Sequence, residues 1–209
     1  MPLNVQIVHG LMKENFLQIL AKMILYIWEN EKMTNVSFQG ERGAYSEAAA
    51  KSFFKNDIKT IPLATFAEIL ENTSKDITEY SILPVENSLE GSVGESYDLL
   101  YSTDLNATGE TYHRIEHCLI GFGKIEEIDT VYSHPQALGQ CRNFIEKNTM
   151  KTIPTYDTAG SVKIIQELNK KNCACIASKA AASIYNMPII TENIANNLNN
   201  YTRFLILSK

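Results

Sequence analysis

Short apolar stretches alternate with amphipathic ones along most of the chain, and this alternation is the main structural signal in the sequence. Stretches rich in β-branched residues predict strands, and the Ala-rich or 3.6-periodic stretches between them predict helices. The predicted strands are 35–39, 59–64, 80–87, 107–122, 130–133, 151–157, 173–178, 188–194 and 203–208, and the predicted helices are 45–54, 65–75, 92–102, 134–147, 158–169 and 179–186. Such regular alternation predicts an α/β fold with mostly parallel sheets.

Two successive sets of strands and helices, joined by the long segment 107–122, predict two lobes with a cleft between them. We place the first lobe at about residues 34–107 and 189–209, and the second at about 108–188. Helices that follow strands begin at the carboxyl ends of those strands, so their N-termini gather at one edge of each sheet. Free N–H groups and helix dipoles at that edge favour carboxylates. The polar clusters at these junctions therefore predict a small anionic ligand in the cleft.

The N-terminal segment is a separate feature. Residues 16–28 are strongly apolar but include Gln18 and Lys22. This stretch of about 13 residues is shorter than the roughly 20 that a membrane-spanning helix needs. It lacks the basic leader and the small-residue cleavage site of a signal peptide. We interpret residues 1–33 as an amphipathic helical extension, and we expect the main domain to span residues 34–209, with no membrane partner.

The charge of the chain restricts its partners. The net charge of −5 argues against nucleic-acid binding, which normally requires a basic surface. An anionic small molecule is not excluded, because nearby hydrogen-bond donors act on a ligand more strongly than distant, screened charges do.

The four cysteines, Cys118, Cys141, Cys173 and Cys175, show no Cys-x-x-Cys spacing of a redox or zinc motif. Cys173 and Cys175 alternate within an apolar segment, where a strand places both on one face. We interpret them as small core residues and expect a reducing, cytoplasmic compartment.

Two other patterns have weak support as ligand sites. His113 and His117 are four residues apart, but in a strand this spacing separates them by about 13 Å, too far for a shared metal. Gly121 and Gly123 lack the rest of a dinucleotide-binding motif. We therefore expect no metal and no cofactor.

Four segments at the strand–helix junctions carry a family resemblance. They are FQGERGAYSEAAA (38–50), LPVENSLEGSVGESYDLL (83–100), VYSHPQALGQC (131–141) and ENIANNLNNYTRFLIL (192–207). In this order and spacing they resemble the signature stretches of prephenate dehydratases and plant arogenate dehydratases. The resemblance implies the fold of that family: two α/β lobes of the type II periplasmic-binding-protein kind, with an interlobe cleft.

The resemblance also implies an activity. Prephenate dehydratase is a carbon–oxygen lyase of phenylalanine biosynthesis that converts prephenate to phenylpyruvate by decarboxylation and loss of water. The chemistry requires orientation of the substrate and help for the departing hydroxide, without a metal or redox cofactor. Two alternatives stay open: an arogenate dehydratase, and a non-catalytic module of the same fold that binds a small carboxylate.

The catalytic residues implied by the resemblance are Thr202, Glu86, Ser133 and Gln140. Thr202 matches the catalytic threonine of the family, and its hydroxyl would donate a hydrogen bond to the departing oxygen. Without the resemblance, a strand threonine chosen for β-propensity is the favoured interpretation of Thr202, and the resemblance reverses that order. If Glu86 faces the cleft, it needs a raised pKa or a cationic partner, because a free carboxylate repels a dianion. Ser133 is expected to be the N-cap of the following helix.

The substrate-binding residues expected from the same segments are Tyr45, Ser46, Asn87, Ser88, His134, Gln136, Thr158, Arg203 and Phe204. Several have a plain structural alternative as capping or turn residues. Arg203 follows Thr202, and in a regular strand its side chain would point to the opposite face.

Members of this family are usually dimers or larger, so we expect a homo-oligomer, either a dimer or a tetramer. They commonly continue into a regulatory ACT domain that binds phenylalanine, whereas this sequence ends at Lys209. We therefore expect that phenylalanine does not inhibit this chain.

Overall fold

The computed structural model describes residues 18–20, 22, 33–55 and 57–209. The chain divides into two compact units, Met1–Met33 and Thr34–Lys209. In the first unit, residues 18–20 and 22 are helical and exposed, Met33 is exposed and not helical, and the rest of the predicted extension lies outside the described residues. Within the described ranges, no helix has the length and apolar character needed to cross a membrane.

The second unit contains eleven strands and seven α-helices, with a short 3-10 helix at Ile125–Glu127. The strands are β1 Thr34–Gln39, β2 Ile58–Leu63, β3 Tyr80–Asn87, β4 Gly91–Ser92, β5 Asn106–Arg114, β6 Cys118–Gly121, β7 Thr130–Ser133, β8 Lys151–Pro154, β9 Cys173–Ala177, β10 Ile189–Thr191 and β11 Tyr201–Ser208. The helices are α1 Tyr45–Phe53, α2 Phe66–Ser74, α3 Gly94–Ser102, α4 Pro135–Gln140, α5 Arg142–Lys147, α6 Gly160–Leu168 and α7 Lys179–Ile184.

The first lobe is built on a sheet of order β2–β1–β3–β11–β5, with β4 paired to β3. Alternate side chains of its strands point to opposite faces, and both faces are covered. Phe38, Ile82 and Phe204 pack against α1 on one face. Leu83 and Leu207 pack against α2 and α3 on the other. The central strand β11 therefore has a fixed orientation, which decides the face that each of its side chains reaches.

The second lobe is built on a sheet of order β10–β6–β9–β7–β8. All five residues of β9 are buried, because helices cover both faces of this strand. Cys173 and Cys175 face the cluster formed with α6 and α7, whereas Ala174 and Ile176 face α4 and α5. The predicted placement of the two cysteines on one face of a core strand is confirmed.

The two-lobed α/β architecture is confirmed, but the predicted lobe bounds and the predicted strand directions need correction. β5 pairs along its whole length with β11 in the first sheet, and β10 pairs with β6 in the second. The chain thus crosses between lobes at 115–117 and again between β10 and β11. In the part described, four strand pairings are parallel and five are antiparallel. Four of the antiparallel pairings involve β6 or β11, the strands that follow a crossing, and the fifth joins β3 to β4.

Two of the predicted helices begin or continue differently in the structure. At the start of α2, Thr65 and Glu68 form a capping box. The predicted helix 92–102 begins only at Gly94, because Ser92 lies in β4 and Val93 precedes the helix. The predicted helix 134–147 is two helices, because the backbone of Cys141 leaves the helical conformation between α4 and α5.

Candidate active site

A cleft of about 520 Å³ lies between the two lobes. The N-termini of α1, α2 and α6 reach it through Tyr45, Phe66 and Ala159. Each of these helices has nine residues and directs the positive end of its dipole toward the cleft. Asp157 already accepts from the Gly160 N–H at the start of α6, and Thr65 accepts from the Glu68 N–H at the start of α2. Nine of the residues expected from the sequence line this cleft: Tyr45, Ser46, Asn87, His134, Gln136, Gln140, Thr158, Thr202 and Phe204.

Thr202 and Asn87 form the centre of the site. They are direct partners across β11 and β3. The Asn87 amide donates to Thr202 Oγ1 at 3.0 Å and to Asn200 Oδ1 at 2.7 Å. Its own oxygen accepts from the backbone N–H groups of Leu89 and Glu90. The orientation of the amide is thus fixed by the turn that follows β3, and Thr202 keeps its own hydroxyl proton available.

Gln140 reaches the same cluster from the second lobe. Its Oε1 accepts from Asn200 Nδ2 at 3.0 Å and lies 2.9 Å from Nε2 of His117. Its Nε2 donates to Glu90 Oε1 at 3.2 Å. These bonds join α4 to the end of β3 and to the segment before β11, so the cluster depends on both lobes.

Four of the expected site residues lie outside the cleft lining: Glu86, Ser88, Ser133 and Arg203. Glu86 and Arg203 are paired across the strands on the opposite face from Thr202. Alternation of side chains explains both positions. Arg203 forms an ion pair with Glu110 at 2.6 Å, and its NH1 lies 3.9 Å from Glu86. The condition attached to Glu86, that it faces the cleft, is not met.

The two serines are placed by backbone contacts. Ser133 is fully buried and donates to the carbonyl of Ile176 at 2.7 Å. The residue that caps α4 is His134, whose Nδ1 accepts from the Gln136 N–H, so the expected cap at Ser133 was wrong. Ser88 accepts from the Tyr201 N–H and holds β11 beside β3.

A sequence model of the prephenate dehydratase family matches residues 36–209, which is most of the chain and all of the cleft just described. The chain belongs to the prephenate dehydratase family. A curated relative, "Arogenate dehydratase/prephenate dehydratase 2, chloroplastic" of Arabidopsis thaliana, is 38% identical over 182 residues, covering 86% of this chain and 48% of that protein. The chain spans about half the length of the curated relatives it matches.

Two solved structures show the same fold. The prephenate dehydratase of Staphylococcus aureus superposes with a TM-score of 0.73 at 27% identity, over 84% of this chain and 66% of that one. A structure described as GqqA, a quorum-quenching acylase, superposes with a TM-score of 0.76 at 32% identity, over 84% and 64% of the two chains. The expected fold class is confirmed, and the acylase shows that this fold does not by itself define a reaction.

Several residues of the cleft and of the Thr202 cluster are not predicted by the sequence. His117 and Asn200 join the Thr202 cluster, and Glu95, Tyr156 and Asp157 line the cleft. Asn200 had a detectable signal, because its position two residues before Thr202 places both on one face of an extended chain. His117 had none, because it lies in a three-residue crossing between strands rather than in a strand.

The charged groups of the cleft are unusual for an anion site. Among the residues that line it, all of them described, none is Lys or Arg, and Glu95 and Asp157 are carboxylates. Burial raises the pKa of Asp157, with Glu41 adding to the shift, against the hydrogen bond from the Gly160 N–H. The donors available to an anion are therefore neutral side chains and helix N-termini.

Tyr45 links the cleft to the interior. Its hydroxyl donates to the Glu116 carbonyl at 2.7 Å, and its ring packs at 5.6 Å from that of His117 and 6.3 Å from that of His113. Burial raises the pKa of Tyr45 well above its usual value, so the phenol stays neutral. The described residues contain no group of three or more His, Cys, Asp or Glu side chains arranged to hold a metal ion.

Proposed function

We propose that the chain catalyses the decarboxylating dehydration of prephenate to phenylpyruvate, a lyase reaction of phenylalanine biosynthesis. The observation that carries this proposal is the hydroxyl of Thr202, held by Asn87 inside a cleft onto which three helix N-termini open. Membership of the family supports the same reaction.

The reaction needs one proton and a fixed substrate. The bond from the ring to one carboxylate breaks, its electron pair enters the ring, and the hydroxyl across the ring leaves with its own bonding pair. Carbon dioxide and water are the by-products, and the ring becomes aromatic. Because Asn87 donates to Thr202 Oγ1, the Thr202 O–H is free to donate to the departing oxygen, and a proton from solvent replaces the one that is transferred.

Binding of the two carboxylates falls to neutral donors in this proposal. The N-termini of α1, α2 and α6 favour negative charge, each by about 0.3–1 kcal/mol at exposed sites and more where water is excluded. Ser46 at the start of α1 and Thr158 before α6 add hydroxyl donors. Glu95 and Asp157 oppose a dianion, and Asp157 already accepts from the Gly160 N–H at the start of α6, so the two substrate carboxylates must lie nearer to the starts of α1 and α2.

The choice between prephenate and arogenate belongs to the same proposal. The two differ only in the arm, which is a keto acid in prephenate and an amino acid in arogenate. We propose prephenate as the substrate, and the test is to supply each compound to purified protein and follow phenylpyruvate or phenylalanine. If only arogenate is turned over, the substrate is arogenate and not prephenate. Tight binding of either without turnover would support the carboxylate-binding module.

We further propose a homo-oligomer in a reducing, cytoplasmic compartment. All four cysteines are buried free thiols, and burial raises the pKa of Cys141 and of Cys175 to about 12, which keeps them unreactive. Light scattering of the purified protein would give the oligomeric state. A monomeric mass would contradict this part of the proposal.

A further inference from the structure

His117 is buried at the crossing between the lobes and contacts a residue of each. Its exposed fraction is 2%. Nδ1 lies 2.9 Å from the hydroxyl of Tyr45 in the first lobe, and Nε2 lies 2.9 Å from Oε1 of Gln140 in the second. The ring also lines the cleft.

The partners of the ring define where its proton lies. An amide oxygen can only accept a hydrogen bond, so Nε2 of His117 must carry a proton and donate it in a hydrogen bond to Gln140 Oε1. Burial lowers the pKa of His117, although the hydrogen bond to Gln140 opposes that shift. The ring is therefore neutral at pH 7, and its unprotonated Nδ1 accepts a share of the single Tyr45 hydroxyl proton, which also points to the Glu116 carbonyl.

This proton in turn decides the orientation of the Gln140 amide. Two donors, His117 and Asn200, converge on Oε1, while Nε2 donates to Glu90. A rotation of the amide by 180° would place its N–H groups against both donors and its oxygen against the Glu90 carboxylate. Each buried donor left without an acceptor costs about 1–3 kcal/mol, so the rotated amide is excluded.

We propose that His117 is a positioning residue, which fixes the Gln140 amide with its amino end available to the substrate. Nε2 of Gln140 has two N–H groups, and the hydrogen bond to Glu90 uses one of them. The second N–H is the donor that a carboxylate or hydroxyl in the cleft requires. This inference rests on the proposed function, because its consequence is measured in turnover.

Two substitutions separate the functions of the two ring nitrogens. In His117→Gln, the longer amide reaches the position of Nε2 and keeps a donor for Gln140. In His117→Asn, the shorter amide reaches only the position of Nδ1 and faces Tyr45. Because misplacement of a binding group costs up to about 100-fold in rate, we expect kcat/KM of His117→Asn to lie roughly 10- to 100-fold below that of His117→Gln. Equal losses in the two variants would show a merely structural histidine and overturn the proposal.

A double-mutant cycle tests whether the effect passes through Gln140. Once Gln140→Ala has removed the amide, His117→Asn should lower kcat/KM by less than about twofold further, because coupled residues are not additive. Independent, multiplying losses would contradict this. Nitrogen NMR of the imidazole gives a measurement that needs no turnover: we expect the Nε2-protonated tautomer for the signal that His117→Gln removes, and the Nδ1-protonated tautomer would overturn the assignment. Inactive wild-type protein with the expected tautomer would count against the proposed function alone.

Discussion

The side-chain amide of Asn87 and the hydroxyl of Thr202 are hydrogen-bonded at 3.0 Å, and the amide is the donor. Asn87→Asp keeps an oxygen for the N–H groups of Leu89 and Glu90 but replaces the N–H that Thr202 receives. The Thr202 proton would then be drawn to the new carboxylate. We expect kcat to fall by about 10- to 100-fold, in the range of a lost proton donor, and the thermal midpoint to fall as well, because the new carboxylate also faces Asn200 Oδ1. A kcat within twofold of wild type would remove Asn87 from the mechanism.

The buried histidines predict how stability depends on pH. Burial lowers the folded-state pKa of both His113 and His117 below the ordinary value of 6.5. The unfolded chain therefore binds more protons below that pH, and stability falls as pH falls from about 7 to 5. Denaturant unfolding at several pH values measures this slope, and His117→Gln should reduce it. A stability that is flat or rising toward pH 5 would contradict the two pKa shifts.

Glu47 is a buried carboxylate that supports the loop before α1. It accepts from the Gly43 N–H at 2.6 Å, the Thr60 hydroxyl at 2.8 Å and Lys51 at 2.8 Å. Burial alone would raise the pKa of Glu47, but these donors lower it below its ordinary value. We expect Glu47→Ala to cost about 2–4 kcal/mol in the free energy of unfolding, because buried donors lose their acceptor.

The control for this prediction is Glu47→Gln, which keeps one acceptor oxygen and should cost less. Because the folded-state pKa is the lower one, the contribution of Glu47 is present above its unfolded pKa and is lost as pH falls through the folded value. Urea unfolding of both variants gives the comparison. Equal stability of Glu47→Ala and wild type would refute the assigned role.

Gly43 lies where the lobes meet, at a backbone φ of +90°. A Cβ at this position would stand 2.5 Å from the Cα of Ala181 in α7. Gly91→Ala is a matched control, because Gly91 has a φ of +82° but no atom within 4 Å of the added Cβ. Both variants pay the cost of positive φ, and Gly43→Ala should lose about 1–3 kcal/mol more through the clash. Similar thermal midpoints for the two would mean that the lobes separate there without cost.

The sequence predicted the elements of the fold well and their assembly less well. Apolar periodicity identified β9 and α1 because side chains on a covered face must be apolar. It did not assign β10 to the second sheet, because a three-residue strand has too little pattern to define its partner. The direction of β11 depends on where the chain re-enters the first lobe, which is a tertiary property that local periodicity does not contain.

The site residues were also predicted in part: the sequence identified several of them but not how they are assembled. The resemblance brought Thr202, Asn87 and Gln140 to attention, and the structure places all three in one cluster. It also brought forward Glu86, which side-chain alternation turns to the opposite face of β3. For His117 the sequence indicates only an improbable metal pair with His113. The spacing of residues in one sequence does not show that a helix of the other lobe brings Gln140 to this histidine.

The most direct test of the account compares prephenate turnover by the wild-type chain with that of Thr202→Val and Thr202→Ser. Valine keeps the shape of the side chain without the hydroxyl, and serine keeps the hydroxyl. We predict phenylpyruvate formation by the wild type, a kcat lowered by about 100-fold or more in Thr202→Val, and substantial retention in Thr202→Ser. A folded Thr202→Val protein with near-native turnover, or a wild-type chain that binds prephenate without converting it, would contradict the proposed role of this hydroxyl.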